Sequence, residues 1–298
     1  MEEVSELQEQ INALKKQISD LEYQVGDRYR GPKLDDPPQH KYNIDVVNSN
    51  NPGYVNRILV ATPATGLVRI EWAMARWGQI IPPNWSSVQM TQWMHALFPM
   101  QYQVAAAQNI IAREVVAKNF EWLVLLEHDV IPPPDTFKRF NNYMNEKTAP
   151  IVSGLCYTRS RPSEPMVYRG RGVSFYSDWK RGDLVWCDGV PTGILLIHGE
   201  IIRKMWEEAQ PLIIVHPGGR QEETREVFLT PRETFFDPET NQYNVMAGTS
   251  DLDWCTKVMK GNFFEKAGWP EHQKMEFPFL VDTNIFCQHI NQDGERFP

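Results

Sequence analysis

The stretch WLVLLEHDVIPPPDTF, residues 122–137, runs apolar through Leu126, then presents Glu127, His128 and Asp129 ahead of three prolines. A short apolar run bounded by turn residues has the character of a buried strand. Side chains alternate along a strand, so Glu127 and Asp129 are expected on the same side of a sheet edge. Two carboxylates so close repel each other unless a cation lies near them. A hard divalent ion held by one or two carboxylates and by the phosphate oxygens of a ligand is the usual solution. The same residues also describe an ordinary strand end whose acids are solvated or bond the following turn.

Two later stretches carry comparable groups. FLVDTNIFCQHI, residues 279–290, is a second apolar run and ends near His289, an imidazole able either to join the same ion or to serve as a hydrogen-bonded structural residue. In GTSDLDWCTKVMKGN, Ser250 has the character of a helix N-cap and Gly261 of the residue closing that helix. Asp251 and Asp253 then fall in the first turn, where the helix dipole favours acids without any functional reason. The functional alternative is that Asp251 faces a cleft and takes a proton from an attacking hydroxyl.

These groups need elements to position them. Arg57 to Ala61 read as a short buried strand broken by Thr62, Pro63 and Gly66, and no GxGxxG or GK[ST] follows, which excludes the dinucleotide and P-loop fingerprints. LVRIEWAMARWGQI reads as a helix with Val68, Trp72 and Ala75 on one side. VAAAQNIIAREVVAKNF is a second helix, leading directly into EWLVLLEHD. Helix followed by all-apolar strand implies an α/β fold with a mixed, mainly parallel sheet flanked by helices, its ligands beyond the carboxyl ends of the strands.

Upstream, Val4, Leu7, Ile11, Leu14, Ile18, Leu21 and Val25 alternate three and four apart. This is coiled-coil spacing over residues 1–26, with β-branched residues and leucines segregated as in parallel two-stranded coils. A homo-oligomer is expected, one amphipathic helix packed on its own domain being the alternative. Residues 27–55, rich in Pro and Asn, read as a linker or surface wrap. Residues 56–290 form the globular domain and 291–298 a polar tail.

A chain of 298 residues with 42% hydrophobic content can bury one large core or two modest ones. A formal charge of −8 argues against a nucleic-acid partner, which needs clustered Lys and Arg. Cys156, Cys187, Cys255 and Cys287 form no CxxC pair, so reduced thiols and a cytoplasmic protein are expected. No apolar stretch reaches the length of a membrane span. Trp72, Trp77, Trp85 and Trp93 read as core, with stacking on a sugar the alternative. Arg159, Arg161, Arg169 and Arg171 form a basic cluster that meets phosphates or is simply solvated. Residues 216–236 are either a mobile lid or a surface excursion.

The order AQNIIAREVVAKNFEWLVLLEHDVIPPPDTF, IVSGLCYTR, DGVPTGILLIHGEIIRKM, TSDLDWCTKVMKGN, VDTNIFCQHI resembles that of a GT-A (Rossmann-like) glycosyltransferase of the broad family-2 kind over residues 56–290. The resemblance implies transfer of a sugar from a nucleotide-sugar donor, such as a UDP- or GDP-sugar, to an acceptor hydroxyl, with Mn²⁺ or Mg²⁺ as cofactor. It implies metal ligation by Asp129 and His289, with Glu127 a further ligand or a contact to sugar, ribose or a metal-bound water. The first acid is Glu where the family commonly has Asp. By the same resemblance Thr62, Asn109, Glu127, Asp129 and Gly193 contact the donor, and Asp251 is the general base of an inverting reaction. Ser250 stands where the family usually has a second acid. A metal-dependent nucleotidyltransferase or phosphohydrolase, and a non-catalytic coiled-coil assembly protein with a transferase-like domain, are the rival classes.

Overall fold

The computed structural model describes residues 56–298 apart from 86, 95, 171–174, 216–218, 220 and 240, together with 14, 15 and 17. The coiled coil expected over 1–26 and the linker over 27–55 lie outside the described residues, except for Leu14, Lys15 and Gln17, which are helical and exposed. The fold below is that of the unit Val55–Pro298.

The chain enters as β1 (Asn56–Ala61). Two short helices follow, α1 (Ile70–Trp77) and α2 (Ser87–Met94), then β2 (Ala96–Leu97). The Ala-rich α3 (Val104–Ala117), a composition that favours helix, leads through Asn119 in the left-handed region, φ 49°, into β3 (Phe120–Leu126). After β4 (Val130–Ile131), α4 (Thr136–Glu146) buries Phe137, Phe140 and Met144 at the three- and four-residue spacing of an amphipathic helix. Then come β5 (Ile151–Leu155), β6 (Leu184–Cys187), β7 (Ile194–His198) and α5 (Gly199–Glu208).

Two hairpins follow, β8 (Pro211–Val215) with β9 (Gln221–Arg225) and β10 (Arg232–Asp237) with β11 (Gln242–Ala247). The chain closes with α6 (Ser250–Lys260), α7 (Phe263–Lys266), α8 (Pro270–Gln273), β12 (Phe279–Phe286), β13 (Gln288–Ile290) and β14 (Arg296–Phe297).

Seven strands form the main sheet in the order β2-β1-β3-β7-β5-β12-β6. The pairings β1·β2, β1·β3 and β5·β12 are parallel, whereas β3·β7, β5·β7 and β6·β12 are antiparallel. The sheet is therefore mixed, as expected, but its parallel and antiparallel pairings are equal in number, so it is not mainly parallel. The difference comes from β7, which inserts between β3 and β5 running against both, and from the edge strand β6, which runs against β12. An apolar run such as GILLIH is equally at home in either direction, because both faces are covered.

The two faces carry separate cores. Leu123 and Leu125 pack with Ile111 and Val115 of α3, Ile201 of α5 and Trp254 of α6. Trp122, Val124 and Leu126 pack with Trp72 of α1, Trp93 of α2 and Phe137 and Phe140 of α4. Successive residues of one strand thus feed opposite layers. Trp72, Trp85 and Trp93 are core residues as expected, whereas Trp77 is 41% exposed.

Three boundaries differ from the sequence reading. Helix α1 begins only at Ile70, leaving Val68 exposed. Helix α6 includes Ser250, and Thr249 takes the cap position. The tail 291–298 is folded: β14 pairs with β13, which pairs with β4, and Phe297 is buried opposite His289. One apolar ring in an otherwise polar octapeptide was enough to anchor it.

Gly199 opens α5 where the helix crosses the start of β3. A Cβ there would overlap the carbonyl oxygen of Phe120, which also accepts from Nη1 of Arg203 at 2.9 Å. Gly199→Ala is expected to cost about 3 kcal/mol, since backbone rather than a flexible side chain must yield. Chemical denaturation checks this, and an unchanged midpoint would mean that the start of β3 shifts freely.

Candidate active site

Strand β3 ends at Leu126, and Glu127-His128-Asp129 lie on the turn joining it to β4. The Glu127 amide donates to the carbonyl of Gly193 at 2.9 Å, and Val130 N donates back to the Glu127 carbonyl at 3.2 Å. Strand alternation is thus not what groups the two acids. The turn does, with Trp72 Nε1 donating to the Glu127 carbonyl at 2.8 Å from beneath.

The Glu127 side chain accepts from Thr192 Oγ1 at 2.9 Å, and Thr192 Oγ1 accepts from Gln108 Nε2 at 3.1 Å. Burial, then the neighbouring charge of Asp129, and more weakly that of Asp251, push the Glu127 carboxyl from 4.5 up to about 7; the Thr192 hydrogen bond and Arg159 oppose them.

Asp129 Oδ2 pairs with Arg159 Nη1 at 2.8 Å. Its Oδ1 is buried with no hydrogen-bond partner. The Asp129 carbonyl accepts from Ile290 N at 2.8 Å, which locks the turn to β13 and brings His289 alongside. His289 Nδ1 lies 2.5 Å from the Tyr157 carbonyl. A carbonyl oxygen can only accept, so Nδ1 carries the proton and Nε2 keeps its lone pair. Burial lowers the His289 pKa, with Arg159 acting in the same sense, while Asp129 and the Tyr157 carbonyl work the other way. Burial thus favours the neutral ring, the form able to ligate a cation.

Asp251 sits in the first turn of α6, largely buried. Burial raises its pKa against hydrogen bonds from Thr249 and from Leu252 N, the latter at 2.9 Å to Oδ1. Its charge helps to raise the pKa of both Glu127 and Tyr168.

The remaining expected residues divide. Gly193 lies in the turn before β7, where a Cβ would press on Val130 at 3.1 Å and Cys156 at 3.4 Å. Thr62 follows β1, buried, with a hydroxyl that has no partner. Asn109 does not reach the cluster: its Nδ2 donates to the Phe228 carbonyl at 2.9 Å and its Oδ1 accepts from Phe228 N at 2.8 Å, clamping the segment after β9 against α3. Of the basic cluster, Arg159 alone meets the acids. Arg161 pairs with Glu295, Arg169 lies over Tyr176 and Phe277, and Arg171 is outside the described residues.

Beside the turn opens a cleft of about 250 Å³ lined by Thr65, Arg69, His128, Asp129, Arg159 and Asn291 among others. His128 spans its wall, Nδ1 donating to the Pro63 carbonyl at 3.1 Å and Nε2 facing Thr65 Oγ1 at 3.3 Å. Two larger cavities, of about 440 and 480 Å³, are lined by other residues and include none of Glu127, Asp129 or Asp251. Among the described residues no group of three His, Cys, Asp or Glu is arranged to hold a metal ion. No described helix is long and apolar enough to cross a membrane, and the four cysteines are free and buried.

Sequence reasoning missed Thr192, Gln108 and the wall role of His128. Gln108 stood next to the asparagine that drew attention, one residue round α3, and only the packing of α3 against the turn before β7 distinguishes them.

No protein-family model matches the chain, and no curated protein matches its sequence. Among solved structures it is similar to A197 from STIV, at 14% identity and a TM-score of 0.46, over 81% of this chain and 93% of that one.

Proposed function

We propose that the chain is a GT-A glycosyltransferase of the broad family-2 kind, dependent on a divalent metal, that moves a sugar from a nucleotide-sugar donor to an acceptor hydroxyl. The observation that carries this reading is that three separate stretches of sequence bring Glu127 and Asp129, His289 and the charge of Asp251 to one turn, with Asp129 lining a cleft beside it in a mixed α/β sheet.

The donor set fits a divalent ion. Asp129 Oδ1 is a buried oxygen in want of a partner, and His289 Nε2 has a free lone pair. Two protein ligands with phosphate oxygens completing the sphere is how Mg²⁺-type sites are commonly built. Asp129 and His289 would hold Mn²⁺ or Mg²⁺, with Glu127 adjacent. Such an ion supplies neutralisation of the charge that gathers on a departing nucleoside diphosphate.

The chain's own residues do the rest. Asp251, its carboxyl raised by burial, takes the proton of the acceptor hydroxyl as that oxygen attacks the anomeric carbon, as an inverting reaction requires. The hydrogen bonds from Thr192 and Trp72 keep Glu127 and the turn fixed, so the acids are aligned before the donor arrives. His128 and Thr65 form a polar wall suited to the donor's ribose or base.

Thermal unfolding with UDP, GDP and their sugars, each with and without Mn²⁺, tests the reading. A ligand at about 100 times its dissociation constant adds about 2.7 kcal/mol to the folded state, a rise of several degrees. One nucleotide is expected to give a Mn²⁺-dependent rise that Asp129→Ala and His289→Ala each abolish. No rise with any of them would count against nucleotide-sugar chemistry.

A further inference from the structure

Arg159 occupies the place in the acid cluster where a cation is wanted. Its guanidinium is 2.8 Å from Asp129 Oδ2, and its charge is also felt by Glu127 and by His289. It stands on the loop after β5, whose backbone is closed on itself: Thr158 N donates to the Glu164 carbonyl at 2.9 Å, Glu164 N donates to Thr158 Oγ1 at 3.0 Å, and that hydroxyl lies 2.7 Å from Ser160 Oγ. The loop is braced by these bonds, while the Arg159 side chain reaches from it to Asp129 half-exposed.

Two facts set the cost of turning. The Arg159 side chain is 48% exposed, so its ion pair is screened by solvent and weakly held. The Asp129 side chain is only 16% exposed and cannot be left uncompensated once Arg159 departs. Arg159 also lines the 250 Å³ cleft together with Arg69 and His128, so a rotated guanidinium stays within reach of an anionic group bound there.

We infer that Arg159 is a resident counter-cation, which must leave Asp129 for a divalent ion to bind and which then pairs with the diphosphate that arrives with that ion. This rests on the metal-dependent reading above and adds an order of events to it. The ion alone is repelled by Arg159 and gains nothing from displacing it. The ion together with a nucleoside diphosphate displaces Arg159 onto phosphate, so that every charge finds a partner. Arg159 is in this sense a positioning residue, one that makes metal binding conditional on the donor.

The experiment is calorimetric titration of Mn²⁺, and separately of UDP and GDP in saturating Mn²⁺, into the wild-type chain, Arg159→Gln and Arg159→Lys, with free Mn²⁺ followed by electron paramagnetic resonance. The two affinities are expected to move in opposite directions. Removing a like charge at contact distance tightens Mn²⁺ alone by about tenfold or more in Arg159→Gln, while the diphosphate in saturating Mn²⁺ binds more weakly. Arg159→Lys keeps the charge and stays near wild type. A purely structural ion pair would weaken both affinities together or neither, and Mn²⁺ binding equally to wild type and Arg159→Gln overturns the inference. Failure of the underlying reading has a different signature: Mn²⁺ then binds none of the proteins, with or without UDP or GDP.

Discussion

Asp251→Asn is expected to slow donor turnover by about 10²- to 10⁴-fold, the range that a positioned general base contributes, while nucleoside diphosphate binding in Mn²⁺ stays within error of wild type. The separation follows from geometry. Asp251 contacts the cluster through its charge and holds its own turn through Oδ1, which accepts from Leu252 N. Asparagine keeps an acceptor oxygen there and so keeps the turn, but it cannot take a proton. Release of nucleoside diphosphate measures the rate, and thermal shift measures the binding. Turnover unchanged by the substitution would remove Asp251 from the chemistry and leave its acid to the helix dipole alone.

Glu127→Gln is expected to stabilise the protein above neutral pH while abolishing its activity. In the folded chain the Glu127 carboxyl titrates at about 7 rather than 4.5, burial being the main cause. Between those two values the folded chain holds a proton that the unfolded chain has released, so stability falls as pH rises through that window. Above it the full cost is about 3 kcal/mol. Glutamine carries no charge to bury and still accepts from Thr192. Denaturant unfolding at pH 8 should therefore find the variant more stable by up to about 3 kcal/mol, with the gap closing towards pH 4.5. Equal stability at pH 8 would mean that water reaches the carboxylate. A buried acid kept at this cost is the stability sacrifice that functional sites commonly make.

Much of the fold is legible in the sequence, for identifiable reasons. The strands β1 and β3 carry the apolar runs 58–61 and 122–126 because both faces of the sheet are covered, and α3 announces itself by alanine. Strand direction is not legible, since an apolar run of five has no preferred sense, and so the antiparallel insertion of β7 escaped the pattern. The hairpins β8–β9 and β10–β11 also escaped it, being half-exposed and charge-dense; an exposed ring pair, Phe236 with Tyr243 at 5.3 Å, is the sort of feature that reads as loop.

At the site, Glu127, Asp129, Asp251 and His289 were recognisable by residue type at element ends. What gathers the first two is a turn rather than strand alternation. Asn109 shares its helix with the residue that does reach the cluster, Gln108, and a difference of one position is decided by packing. The pairing of Arg159 with Asp129 joins residues thirty apart through a loop whose course the sequence does not disclose.

The insertion of β7 between β3 and β5 bears on how this protein is made. A chain emerging from the ribosome as far as residue 155 has produced β3 and β5, but the strand that belongs between them is still some forty residues away. Until it arrives, both strands present unpaired edges, the condition in which nascent chains associate wrongly. His289 comes later still, on β13, so the acid turn is not locked to its histidine until that strand has been made. A chain that stops short of β7 thereby exposes both strand edges and still lacks the histidine that lies beside the acid turn.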